Sequence, residues 1–256
     1  QSGCVQYNVY VVGGGGSGGG HSTDSGREKV ASGGGAGGTA FRRYSVQDHG
    51  VTSASISIGA GAAGISYPAS IGYVISGRDG GSTTFNPNGS GLTIRAYSGK
   101  RGFGGRQTVS IAEASTAISS SNWGECAGGS GGGAVGGESN YSGGQSVGFN
   151  IGGNDEQARG GGSPNLGSGG KDGKLANGAN GATTDAPTKP SEWGSNVSAT
   201  FRGGYAACNN NGAAGASQAG ASYGAGSGGS AGESGAGSTG NGSSGAIFVT
   251  YYEINT

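Results

Sequence analysis

Residues 226–240 read GSGGSAGESGAGSTG, with no apolar side chain larger than alanine, and a few residues later the chain turns to AIFVTYYEI at 246–254. In the first stretch Gly226, Gly229, Gly232 and Gly235 recur at every third position, and Gly237 and Gly240 continue in a shifted register. Three residues per turn is the period of the extended polyproline II helix, which has no internal hydrogen bonds. Glycine is needed wherever such a helix faces a neighbouring backbone, because a Cβ would hold the two apart. The period predicts a bundle of extended helices bonded laterally, in which each residue's donor and acceptor find partners on other helices.

Composition points the same way. Glycine supplies 66 of 256 residues, and each costs about 0.5–1 kcal/mol more to order than alanine. The large core formers are scarce: 3 Leu, 11 Ile, 13 Val and 6 Phe, 33 in all. Few large apolar residues argue for disorder when net charge is also high. Here 14 basic residues balance 14 acidic ones, so charge gives the chain no reason to stay expanded. Collagen shares the period, but the 5 prolines and the unsustained Gly-X-Y pattern do not fit it. Val and Ile outnumber Leu by 24 to 3 and no window carries a 3.6-residue apolar stripe, so essentially no α-helix is expected. No run of 18 apolar residues is present, which predicts no membrane-spanning helix. The absence of an initiator Met and of a signal-peptide pattern reads as a processed chain or a fragment. Cys4, Cys126 and Cys208 are too few and scattered for a disulfide framework or a zinc site. A single Cys126–Cys208 bridge stays open, as does the redox compartment.

The opening CVQYNVYVV (4–12) sets Val5, Tyr7, Val9 and Val11 against Gln6, Asn8 and Tyr10, the period-two mark of a strand with one buried face. Glycines follow at once, GGGGSGGG (13–20). The segments TAFRRYSV, TSASISIG, IGYVIS, GSTTFNP, GLTIRAYSG and RQTVSIAEA then repeat a short, β-branched or aromatic pattern bounded by Gly, Asn, Ser or Pro. Residues 1–118 therefore read as a β-rich half. Residues 119–244 read as a glycine-rich extended-helix bundle with loops, interrupted by SSSNWGEC, ESNYSGGQSVGFNIGGNDEQ, TTDAPTKPSEWGSNVSATF and GGYAACNNN. Residues 245–256 read as a closing strand that pairs with the first half. The expected fold class is all-β: strands plus a polyglycine II-like bundle.

The order VYVVGGGGSGGG, GGGAGGTAFRRYSV, SISIGAGAAG, GRDGGSTTF, LTIRAYSGKRGFGG and GSSGAIFVTYYE resembles the glycine-rich domain of bacteriophage tail-fibre and tail-tip proteins. A weaker likeness is to the distal tail-fibre adhesins of T-even-like phages, whose polyglycine II helices carry receptor-binding loops. This chain lacks the very long uninterrupted glycine tracts of those adhesins. The resemblance implies a non-enzymatic structural protein of the virion tail fibre, or an extracellular one. Its implied partners are a bacterial cell-surface receptor, protein or polysaccharide, and other tail-fibre proteins, in a homotrimer. No cofactor, metal, nucleic-acid partner or membrane insertion is expected.

Signs of other chemistry are thin. Gly13–Gly18 matches G-x-G-x-x-G after a strand, but no helical segment follows as a dinucleotide site requires. Lys100, Lys171 and Lys174 follow glycines without the Ser or Thr of a P-loop. His21 and His49 have no metal-ligand or catalytic-triad spacing and read as exposed loop residues. Asp155 and Glu156 read as loop acids. The Asn-x-Ser sequons at Asn88, Asn140, Asn196 and Asn241 read as accidents of composition.

The aromatic residues say more. Trp123, Tyr141, Phe149, Trp193, Phe201, Tyr205 and Tyr223 stand almost alone among glycine and serine. They either cap and flank the bundle or act as exposed anchors, a role suited to Trp and Tyr because they offer large contact area at small entropy cost. Trp123, Tyr141, Trp193 and Tyr205 are the candidate receptor-binding residues. The alternative function is a secreted structural, surface-coat or filament protein, including an ice-binding bundle, although the bulky interruptions do not suit an ice-binding face.

Overall fold

The computed structural model describes residues 4–23, 29–68, 73–88, 92–105, 125–126, 128–146, 149–150, 156–158, 161–162, 173–174, 203–204, 206–209, 215–221, 223–233 and 236–253. In chain order the first strands are β1 (Cys4–Val12), β2 (Gly20–Thr23), β3 (Lys29–Ala31), β4 (Thr39–Ser45), β5 (Ala54–Ser57), β6 (Ser66–Tyr67), β7 (Tyr73–Ile75), β8 (Thr83–Pro87), β9 (Ile94–Ala96) and β10 (Glu125–Cys126). The remainder are β11 (Ala134–Val135), β12 (Ser139–Tyr141), β13 (Phe149–Asn150), β14 (Glu156–Ala158), β15 (Gly173–Lys174), β16 (Ala207–Asn209), β17 (Gly215–Ala216), β18 (Ser230–Glu233), β19 (Gly237–Ser238) and β20 (Ala246–Glu253). Among the described residues the sole helix is the four-residue α1 (Val46–His49), started by the Ser45 hydroxyl on the Asp48 N–H and ended by Gly50 at φ 59°. The fold is all-β. The segment RQTVSIAEA lies outside the described residues.

Two four-stranded sheets form a sandwich, one ordered β12-β4-β1-β20 and the other β11-β9-β8-β5. Alternation along β1 sends Val9 and Val11 inward, where they pack with Ala40, Tyr44, Val51, Phe85, Ile94 and Ala96. The closing strand pairs antiparallel with β1 from Val12↔Ala246 to Cys4↔Glu253. Tyr44 is fully buried, and its hydroxyl donates to the Leu92 carbonyl oxygen at 2.7 Å. Burial pushes its phenol up to about 12, with the Arg42 charge opposing the rise and the Glu138 charge adding to it. A raised folded-state value means that this contribution is intact below the ordinary value of about 10 and is lost as pH rises from there toward 12. Tyr44→Phe is expected to cost about 0.5–1.5 kcal/mol through the lost bond to the Leu92 carbonyl, and to flatten the alkaline fall in melting temperature.

Between the strands run glycine segments that belong to no sheet, and their hydrogen bonds keep a three-residue period. In segment 13–19 the N–H groups of Gly13, Gly16 and Gly19 donate to the carbonyls of Gly38, Gly35 and Ser32 at 3.0, 2.9 and 2.9 Å, an antiparallel neighbour met once per turn. Those of Gly14 and Ser17 donate to Gly81 and Arg78, and that of Gly15 to Ser243. The carbonyls of Gly14 and Ser17 accept from Gly99 and Gly102, that of Gly15 from Ala62, and those of Gly16 and Gly19 from Ser227 and Ser230. Among the described residues, one threefold helix is thus bonded to six segments: 32–38, 76–82, 239–245, 97–103, 58–65 and 224–230. Segments 32–38 and 224–230 are bonded to each other and to 13–19, for instance through Gly34 N–H to Ser227 and Gly37 N–H to Gly224. These three helices, drawn from both ends of the sequence, form the centre of the bundle.

The period at 226, 229 and 232 continues from this helix into β18, which runs parallel to β2 and β16. A Cβ on Gly229 would lie 2.7 Å from the Ser32 carbonyl oxygen. Gly232 sits opposite Ser22 and Asn209. Ser230 between them is also buried, with its Oγ 2.9 Å from the Tyr67 hydroxyl, so it is no more open to a bulky side chain than Gly229.

One ion cluster ties two helices together. Asp79 receives the Arg101 N–H and Nε and the Lys100 Nζ, each at 3.0 Å. Burial alone would raise its carboxyl, but the bonds from Arg101 and Lys100 outweigh this and hold it below the usual range. A depressed folded-state value gives stability that is present above the unfolded value of about 3.9 and is lost as pH falls through the lower one. Melting temperature measured from pH 5 downward is expected to fall more steeply for the wild type than for Asp79→Asn.

Candidate functional site

The face of the first sheet turned away from the sandwich core carries a concentration of aromatic side chains. Strand register builds it in rows. Phe248, Tyr10, Phe41 and Ser139 lie side by side across all four strands, and Ala246, Val12, Thr39 and Tyr141 form the next row. On the other side come Thr250, Asn8 and Arg43, then Tyr252, Gln6 and Ser45. The middle of the face is closed: Tyr10, Val12 and Phe41 are buried and Phe248 packs on them, with the Tyr10 and Phe41 rings 5.6 Å apart. Tyr223 meets Phe248 edge-on at 5.2 Å, and the Arg43 guanidinium stands 5.7 Å over Phe41. Asn8 joins the polar margin, accepting from Gln6 Nε2 at 2.8 Å and donating to the Tyr252 hydroxyl at 3.3 Å.

Around this floor three tyrosines are half-exposed: Tyr141 at 40%, Tyr223 at 39% and Tyr252 at 50%. A tyrosine with a fixed base and an open ring face can stack on a sugar or a protein side chain while its hydroxyl bonds to water or ligand. Of the sequence candidates, Tyr141 stands here, on β12 at the sheet edge. Trp123, Trp193 and Tyr205 lie outside the described residues. Tyr10, Phe41, Phe248 and Tyr252 were not singled out from sequence. Their signal was the second phase of the alternation in CVQYNVYVV, TAFRRYSV and AIFVTYYE, where aromatics occupy positions on the face turned from the sandwich core.

The other sequence signals resolve individually. The run Gly13–Gly18 is buried, and every N–H in it is bonded within the protein, Gly18 to the Ser227 Oγ at 2.9 Å, so none remains to cradle a phosphate. His21 is not an exposed loop residue: it is fully buried on β2, where its Nδ1 accepts the Val30 N–H at 3.1 Å. His49 closes α1. Glu156 opens strand β14 rather than sitting in a loop, and Asp155 lies outside the described residues. Cys126 and Cys208 lie on β10 and β16, and the pairing of their side chains falls outside what is described. Asn140 bonds both ways to the backbone of Gly137, Asn241 accepts the Gly64 N–H, and Asn88 donates to Ser53. Asn196 lies outside the described residues. Among the described residues, no group of three or more His, Cys, Asp or Glu side chains could hold a metal ion, and no helix is long and apolar enough to cross a membrane.

A comparison with curated proteins finds no match to the chain. The family model of the glycine-rich domain matches residues 1–252, and the chain belongs to this glycine-rich domain family.

Proposed function

We propose that the chain is a non-enzymatic attachment module of a bacteriophage tail fibre or tail tip, recognising a bacterial surface protein or glycan. The observation that supports this reading is the half-exposed set of Tyr141 and Tyr252 on the sheet and Tyr223 packed against it, on a chain whose glycine helices are held together by backbone bonds. A scaffold stabilised through its main chain tolerates variation in exposed side chains and loops, which suits recognition that must follow a changing receptor. Tyrosine, with few torsions to freeze, serves such a surface. The test is attachment of the labelled, purified chain to a panel of bacterial cells and to mutants lacking one surface protein or polysaccharide. Saturable attachment that disappears with one receptor class is the expected result. Absence of saturable attachment across the panel would overturn the proposal.

A further inference from the structure

We propose that the outer face of the second sheet, with the two glycine helices that adjoin it, binds an acidic polysaccharide. Alternation sets the face: where Phe85 and Ile94 turn into the core, Ser57, Thr84, Arg95 and Val135 lie side by side on the outside. In the next row Ser55 pairs with Asn86, whose Oδ1 accepts the Thr93 hydroxyl at 2.6 Å. All of these residues are exposed or half-buried. The aromatic face described above belongs to the other sheet and looks the opposite way.

Charge sets this surface apart. The whole chain is neutral, yet residues 76–103, which run from one glycine helix through β8 and β9 into the next, hold Arg78, Arg95, Lys100 and Arg101 against Asp79 alone. The two helices adjoin, with Gly77 N–H bonded to Gly102 and Gly80 N–H to Gly99. Asp79 engages both Lys100 and Arg101 and so offsets one of their two charges. Among the described residues no carboxylate pairs with Arg78 or Arg95. The Arg95 guanidinium instead stands 5.0 Å over the ring of Tyr97, which is 40% exposed. The backbone of Tyr97 is fixed on both sides, its N–H bonded to Gly133 and its carbonyl to Gly38. The cation is therefore held in position before a ligand arrives, which lowers the cost of binding.

A surface with this excess of positive charge takes an anionic partner, and the groups around the cations select its kind. A protein interface has an apolar, aromatic-rich centre, whereas Arg95 is surrounded mainly by hydroxyls and an amide. Those groups match the hydroxyls of sugar rings, and the open part of the Tyr97 ring offers a stacking surface. Duplex DNA carries a charge about every 1.7 Å along its axis. Here Lys100 comes a full turn of the threefold helix after Tyr97, so the cations are sparse. Sparse cations among hydroxyls fit a polymer whose carboxylates are separated by neutral sugar.

Calorimetric titration of the full chain with hyaluronan, in which neutral and carboxylate sugars alternate, tests the proposal beside dextran and duplex DNA. Purified polymers keep the outcome independent of whether the chain attaches to cells. Binding to hyaluronan and not to dextran, weakened about tenfold or more by raising salt well above physiological strength, is the expected result. Arg95→Gln, and Thr84→Glu, which sets a carboxylate opposite Arg95, are each expected to weaken it about tenfold with melting unchanged. Gln47→Glu removes the same unit of net charge at α1, beyond the far end of the sandwich, and is expected to bind like the wild type. Should a variant melt lower, amide exchange in the wild-type chain decides: hyaluronan is expected to slow the amides of β9 and segment 97–103. No binding to hyaluronan, equal binding to dextran, tighter binding to DNA, equal losses for Gln47→Glu and Arg95→Gln, or unchanged exchange in β9 and 97–103 would each overturn it.

Discussion

Valine in place of Gly16 or Gly34 is expected to destabilise the protein by about 4 kcal/mol or more, the range reserved for severe core damage. A Cβ on Gly34 would fall on the Gly16 carbonyl, and one on Gly16 on the Lys100 carbonyl. Neither obstacle is a flexible side chain that could swing aside. Both are backbone carbonyls committed to other bonds, that of Gly16 accepting the Ser227 N–H and that of Lys100 the Gly35 N–H. The central helices also block each other in turn: a Cβ on Gly226 meets the Gly34 carbonyl, and one on Gly15 the Ala225 carbonyl. Displacing one helix therefore breaks lateral bonds along several others. Gly133 is the control, because a Cβ there would meet nothing within 4 Å. Gly133→Ala is expected to stay within about 0.5 kcal/mol of the parent. Chemical denaturation of the three variants measures the contrast, and equal midpoints would contradict the packing described.

The second large effect concerns attachment. On the attachment role proposed above, Trp123→Ala and Trp193→Ala are each expected to weaken binding to bacterial cells by about 2 kcal/mol or more, the size typical of an interface anchor, with melting temperature unchanged. Tyr141→Ala tests the rim of the aromatic face alongside them. If the tryptophans instead cap the bundle, melting temperature falls first and attachment is lost only as the protein unfolds. Measuring both quantities on the same variants separates the two roles, and full attachment by well-folded variants would remove both tryptophans from the binding surface.

The strands were legible where alternation was clean. Val9 and Val11 against Asn8 and Tyr10 announce β1, and AIFVTYYE announces a strand that needs a distant partner; the register Val9↔Val249 supplies it. The threefold period was legible at 226–232 because serine and alanine separate the glycines there. In 13–20 glycine fills nearly every position, so a helix bonded on all sides leaves no period to read. His21 was misjudged because polarity alone does not reveal burial: its partner is a backbone N–H from Val30, which no side-chain pattern records. The aromatic face was hidden for a related reason. Tyr10, Phe41 and Phe248 are far apart in sequence, and each alone resembles an ordinary strand residue until register sets them in one row.

The antiparallel register that brings Cys4 opposite Glu253 has a mechanical meaning. Tension applied between the two chain ends opens β1 from β20 like a zipper, one rung at a time, and meets little resistance. Tension that enters through β2 and leaves through the first sheet travels along the glycine helices instead, because segment 13–19 joins β1 to β2. There the rungs of each helix lie across the line of force and must shear together. Among the described residues the chain is thus stiff along its glycine helices and soft where β1 parts from β20.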